Sequence, residues 1–199
     1  MAVTQCRAIR YVDSNYATSD ATTPTTDMTY ESYRTATKWT IGCFRSDQDD
    51  KIFVTMQINH NRRPGTKIHD VHMHYIPLVA PGGVKVCKMQ ISYQWCPIGA
   101  ELTDPAGWTT PAATVLTINP GDEWKHGLHE LISTPIAVPT GDSYSSLFAC
   151  EVRRLGSTDV ADDYEAAKAV GTGAANLGLL FIDCHYEADR DGSINDTSD

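Results

Sequence analysis

The sequence predicts an all-β protein: an antiparallel β-sandwich of jelly-roll type, with about eight strands and an extended N-terminal arm. Three observations predict it. Apolar residues recur with a period of two along several segments, most clearly where Cys87, Met89, Ile91, Tyr93 and Trp95 alternate with Lys88, Gln90, Ser92 and Gln94. These segments are separated by loops rich in Pro, Gly and Asp, which break regular structure. No segment carries a strong helical stripe; the acidic, alanine-rich GSTDVADDYEAAKAV is the one candidate helix, short and poorly amphipathic.

Taken in order, residues 1–35 form a polar arm, because ATSDATTPTTD has too little apolar surface to offset the entropy of ordering. The sandwich is expected over residues 36–190, followed by an acidic tail at 191–199. The first strand runs from Thr37 to Phe44, with Trp39, Ile41 and Cys43 on one face. KIFVTMQIN is the next, directing Ile52, Val54, Met56 and Ile58 inward. The stretch from Ile68 to Trp95 reads as two long strands joined into a hairpin at Pro81-Gly82-Gly83. Its first arm sets Val71, Met73 and Tyr75 on one face and Asp70, His72 and His74 on the other.

A long surface loop carrying Trp108 follows, because CPIGAELTDPAGWTTPA holds three prolines and two glycines. Thr114–Ile118 is a short strand, and Asn119-Pro120-Gly121-Asp122 a turn. Trp124, Leu128 and Ile132 lie in the strand after it. Ser145 to Leu155 buries Phe148, Cys150 and Val152; Leu177 to Glu187 buries Leu180, Ile182, Cys184 and Tyr186.

Sixteen basic against 25 acidic residues give a net charge of −9, which argues against a nucleic-acid partner, since phosphate binding needs a basic footprint. The one basic pair, Arg62-Arg63, reads as a solvated loop. MAVTQCRAIRYVDSN has no apolar run of signal-peptide or membrane-helix length, so a soluble chain made in the cytoplasm, with no membrane partner, is expected. None of the six cysteines forms a C-x-x-C pair; Cys43, Cys87, Cys150 and Cys184 fall in apolar rows and read as buried thiols.

The histidines are the main chemical feature. His72 and His74 share a strand face, His126 and His129 follow the Asn-Pro-Gly-Asp turn, and Asp183 and His185 share a face of the last strand. His-x-His followed later by a Pro-x-Gly turn and a third His, NPGDEWKH, loosely resembles the two motifs of jelly-roll enzymes of the cupin class. That resemblance would imply a metal held by His72, His74 and His126. Cupins carry a carboxylate shortly after His-x-His, and here YIPLVAPGG has none, so no cofactor, no metal and no catalytic residue are expected. G-x-S-x-G, H-E-x-x-H and Walker motifs are absent.

The order of segments resembles small jelly-roll structural proteins of tailed-bacteriophage virions. The matching pieces are VHMHYIPL, the YQW strand end, the PGDEWKH turn, SSLFACEVRRLG and FIDCHYEADRDGS, together spanning about residues 66–193. The resemblance implies a non-enzymatic virion component made in the host cytoplasm, such as a capsid decoration protein or an accessory head–tail element. Expected partners are sister copies in a closed ring, a trimer first, and other virion proteins such as the major capsid protein. A cupin-like enzyme and a glycan-binding tail or fibre module are the competing readings. Candidate interface residues are Tyr16, Met28, Tyr30 and Tyr33 of the arm, with Trp108 of the long loop, because aromatic residues and Met anchor interfaces.

Overall fold

The structure is a computed structural model that describes residues 2–8, 29–32, 40–47, 49–58, 65–138, 146–156, 158–164 and 175–188, with backbone alone at 2–8, 29–32, 40, 175, 176 and 188. The described strands are β1 (Ala2–Ala8), β2 (Thr29–Ser32), β3 (Thr40–Arg45), β4 (Lys51–Gln57), β5 (Ile68–Pro77), β6 (Lys85–Cys96), β7 (Thr114–Ile118), β8 (Gly127–Ile132), β9 (Leu147–Arg154) and β10 (Ala175–Ala188). The only helical turn among the described residues is the 3-10 turn Pro105–Gly107, started by the Asp104 side chain accepting from the Ala106 N–H.

Eight strands make a jelly roll. One sheet runs β3-β10-β5-β8 and the other β4-β9-β6-β7, and all pairings are antiparallel. The pairs nest: β3 with β10, β4 with β9, β5 with β8, β6 with β7. The chain is thus one long antiparallel hairpin rolled up so that successive pairs alternate between sheets. β1 and β2 extend the first sheet, β1 beside the C-terminal half of β10 and β2 beside β3.

The nesting corrects the expected hairpin between Ile68 and Trp95. β5 and β6 do not pair; they lie in opposite sheets, and the tip of the rolled hairpin is β6–β7. The assignment of faces survives this. Val71 and Met73 from one sheet and Cys87, Met89 and Ile91 from the other are all at most 1% exposed and belong to one core. Alternation reports which side of a strand is buried, but both a hairpin and two facing strands satisfy it.

The core is continuous between the sheets. Ile52, Val54 and Met56 of β4, Leu116 and Ile118 of β7, and Phe148, Cys150 and Val152 of β9 complete one wall. Phe44 of β3, Leu131 and Ile132 of β8, and Leu177, Leu179, Ile182, Cys184 and Tyr186 of β10 complete the other. Ile41 and Cys43 turn away from this core and form a second cluster with Ile76 and Leu78, against which Trp124 and Leu180 pack. The expected inner position of Leu180 is corrected by the register. Leu179 pairs with Tyr75 but Phe181 pairs with His74, so Leu180 is an extra residue in a β-bulge. The phase of β10 changes there, and the inner row is Leu177 and Leu179 before it, Ile182, Cys184 and Tyr186 after it.

The strand after the Asn-Pro-Gly-Asp turn begins later than expected. Trp124 sits before it with a left-handed φ of 61°, its N–H donating to the Pro77 carbonyl at 2.8 Å. Leu128 faces solvent at 55% exposure, and the buried residues of β8 are Leu131 and Ile132. A register shift between Val71 and His72 accounts for two adjacent buried residues there.

The described part of the expected helix, residues 156 and 158–164, is a series of turns instead. The buried Arg154 guanidinium holds it down. Arg154 donates to Asp162 through Nη2 at 2.6 Å and Nε at 3.0 Å, and to the Tyr164 carbonyl at 2.7 Å. The Tyr164 hydroxyl donates to the Val79 carbonyl at 2.7 Å, and Asp162 accepts from the Lys88 N–H at 2.9 Å. These tertiary bonds outweigh the weak helical preference of an alanine-rich segment.

Candidate functional site

The polar row expected on β5 is the centre of a cluster on the outer face of the first sheet. Asp70, His72 and His74 stand at alternate positions of β5, opposite the core-facing Val71 and Met73. β10 adds Asp183 and His185, which pair in register with His72 and Asp70. Directly opposed side chains of paired strands lie close enough to touch. His126, exposed in the turn before β8, reaches the same face.

The side chains form a connected row. His126 Nε2 lies 2.7 Å from His74 Nδ1, so one imidazole donates and the other accepts. His74 Nε2 lies 3.3 Å from Asp183 Oδ2, and His72 Nδ1 lies 3.6 Å from Asp183 Oδ1. On its far side His72 Nε2 is 3.8 Å from Asp70 Oδ1, to which His185 Nδ1 donates at 2.5 Å. Asp183 is fully buried between the two imidazoles, while Asp70 and His185 are each 24% exposed.

The bulge in β10 shapes one end of this row. It turns Phe181 outward beneath His74, with ring centroids 4.0 Å apart and planes at 19°. Burial pushes the His74 imidazole below its ordinary pKa; Asp183 opposes that shift, and His126 and His72 reinforce it. At the other end, Asp70, His72 and His185 each present one donor atom, all within 4.8 Å of one another. In the β1–β10 ladder the backbone of Arg7 stands opposite Asp183 and that of Gln5 opposite His185.

The expected alternatives can be placed against this geometry. His72, His74 and His126 do not converge on one point: His74 pairs with His126, while His72 turns to Asp70 and His185. All of them lie outside the sandwich, whose interior is filled by the apolar core. His129 is separate again, facing inward on β8 with Nε2 2.8 Å from Thr114 Oγ1, and burial depresses its pKa to about 4. Asp183 as the shared partner of His72 and His74 was missed from sequence because it depends on the register of strands more than a hundred residues apart.

The described cysteines, Cys43, Cys87, Cys96, Cys150 and Cys184, are buried. Burial raises Cys87 to about 12 and Cys150 well above its usual value, which suppresses the reactive thiolate. Of the candidate interface residues, Trp108 is half-buried, donates to the Thr103 carbonyl at 3.0 Å and meets Phe53 edge-on with ring centroids 6.5 Å apart. Tyr30 belongs to β2, opposite Gly42 of β3. Tyr16, Met28 and Tyr33 lie outside the described residues. No described helix is long and apolar enough to cross a membrane. Comparison with protein-family models, curated proteins and solved structures finds no match.

Proposed function

We propose that this protein is a non-enzymatic structural component of a tailed-bacteriophage virion, a capsid decoration or accessory head–tail protein that assembles as a closed oligomer on the particle. The observation that carries the reading is the filled interior of the jelly roll. Both sheets meet through side chains such as Met73, Met89, Ile91, Phe148 and Val152, each at most 1% exposed. A jelly-roll enzyme that binds substrate between its sheets needs that space open, with its reactive groups pointing into it. Here His72, His74, His126 and His185 lie on the opposite face of the sheet, and the imidazole that faces inward, His129, is held by Thr114.

Jelly rolls serve as capsid proteins, lectins and cupins alike, so the fold alone does not choose among them. The order of segments along the chain, an acidic balance unsuited to nucleic acid, and the polar composition of the N-terminal segment support the virion reading. Antibodies raised against the full chain test it. They should decorate intact particles at regular positions in electron micrographs, and mass spectrometry of purified particles should recover the chain in fixed stoichiometry. Particles that lack the chain would refute the proposal.

A further inference from the structure

We infer that Asp70, His72 and His185 form a binding site for a divalent transition-metal ion, zinc by preference, on the outer face of the first sheet. This goes beyond the structural role proposed above and does not depend on it. Two imidazoles and one carboxylate are a donor set suited to zinc and its first-row neighbours, and they leave one coordination position open. The fold supplies them from two adjacent strands. Asp70 and His72 are alternate residues of β5, and His185 is the direct partner of Asp70 on β10. Such a constellation is held by ladder hydrogen bonds rather than by a loop.

The distances suit an ion after a small adjustment. Donors on a tetrahedral zinc at about 2.0–2.1 Å from the metal stand about 3.4 Å from one another. Asp70 Oδ1 lies 2.5 Å from His185 Nδ1 and 3.8 Å from His72 Nε2, and all three donors fall within 4.8 Å. Opening the shortest gap by about 1 Å needs only side-chain rotation at two partly exposed residues, and leaves the strands where they are.

The second observation lies behind the site. His72 Nδ1 is buried and makes no hydrogen bond, yet it points at the fully buried carboxylate of Asp183, 3.6 Å away. An ion on Nε2 fixes the proton on Nδ1, which then donates to Asp183. A carboxylate behind the distal nitrogen of a ligating histidine is the usual means of orienting it and raising its basicity. Asp183 is therefore a positioning residue, and His74 and His126 stand outside the ligand set.

The test is to titrate metal-free full-length protein with Zn²⁺ by calorimetry and with Co²⁺ by visible absorption. The expected result is one ion per chain, a tetrahedral or five-coordinate cobalt spectrum, and a rise in the thermal unfolding midpoint on adding Zn²⁺. His72→Gln and His185→Gln should each weaken binding by at least about tenfold and remove that rise; Asp183→Asn should weaken it by about tenfold. His126→Gln should leave it unchanged. Absence of saturable binding, binding indifferent to both ligand substitutions, or binding lost in His126→Gln would overturn the site. Crystals of the unaltered protein soaked in Zn²⁺ and measured at the zinc edge decide the matter even if a variant fails to fold. Anomalous density should lie between Asp70, His72 and His185, and density only elsewhere, or none, counts against the proposal.

Discussion

Ile91 and His129 show how single side chains carry this fold in opposite ways. Ile91 is 1% exposed on β6, pairs across the ladder with Val152, and faces the other sheet. Ile91→Ala removes buried methylene and methyl groups and leaves a cavity that rigid walls cannot close. The expected cost is about 2–5 kcal/mol in chemical denaturation. His129 is partly buried and held neutral. Its imidazole titrates near 6.5 when exposed and at about 4 in the fold. As the pH falls through that interval the unfolded chain takes up the proton first, so folding stability declines, by at most about 1.4 kcal/mol per pH unit. The loss starts near 6.5 and ceases below about 4. Comparing unfolding free energies of the unaltered chain and His129→Asn across that interval should show a shallower slope in the variant. Equal slopes would mean that His129 is solvated in the native state.

Among the elements, the turns at residues 158–164 and the bulge in β10 depart most from what local sequence favours. The turn segment is fastened by Arg154 and Asp162, both fully buried and 2.6 Å apart. Removing one partner of a buried ion pair leaves an uncompensated charge in the interior, so Asp162→Ala should cost about 3–5 kcal/mol. Replacing both residues with apolar ones should cost far less than the sum of the single changes, and a double-mutant cycle measures the difference. An additive result would mean that the two act independently. The bulge at Leu180 has a different role. It keeps the inner row of β10 on the core while sending two successive residues outward, Leu180 to the second apolar cluster and Phe181 beneath His74. Close approach to the neighbouring strands is also needed here, because a methyl at Gly178 would sit 2.7 Å from the Ile41 side chain.

For the whole molecule, the two strands outside the eight-stranded roll bear on the proposed assembly. β1 and β2 come from the polar arm, and each pairs with a strand of this chain. Deleting residues 1–34 leaves all eight strands of the roll but uncovers the backbone of β10 from Ile182 to Ala188. An uncovered edge loses hydrogen bonds and invites pairing with another chain. The truncated protein should still unfold cooperatively, at a lower midpoint, and should attach to particles more weakly than the full chain. Calorimetry and a co-sedimentation assay check the two parts. Loss of cooperative unfolding would make β1 and β2 essential to the fold, and undiminished attachment would move the interface to the loop around Trp108.

The sequence by itself determined the class of fold, most of the buried rows (Leu128 and Leu180 excepted), and the polar face that bears Asp70, His72 and His74. Those follow from the period of two and from Pro/Gly breaks, which act within a few residues and need no knowledge of neighbours. Thr114–Ile118 was legible to the residue because a loop and a turn bracket it. Only the tertiary structure decided which strands pair. Alternation is the same for a hairpin and for two facing sheets, so the placement of β5 and β6 in opposite sheets was invisible locally. The same holds for the site. His72 and His74 announced themselves by spacing, but Asp183 and His185 join them through the register of β10 against β5, set by bulges near Leu180 and His69. A bulge is one extra residue whose cost is met by packing elsewhere in the fold, and such a compensation leaves no mark on the segment that contains it.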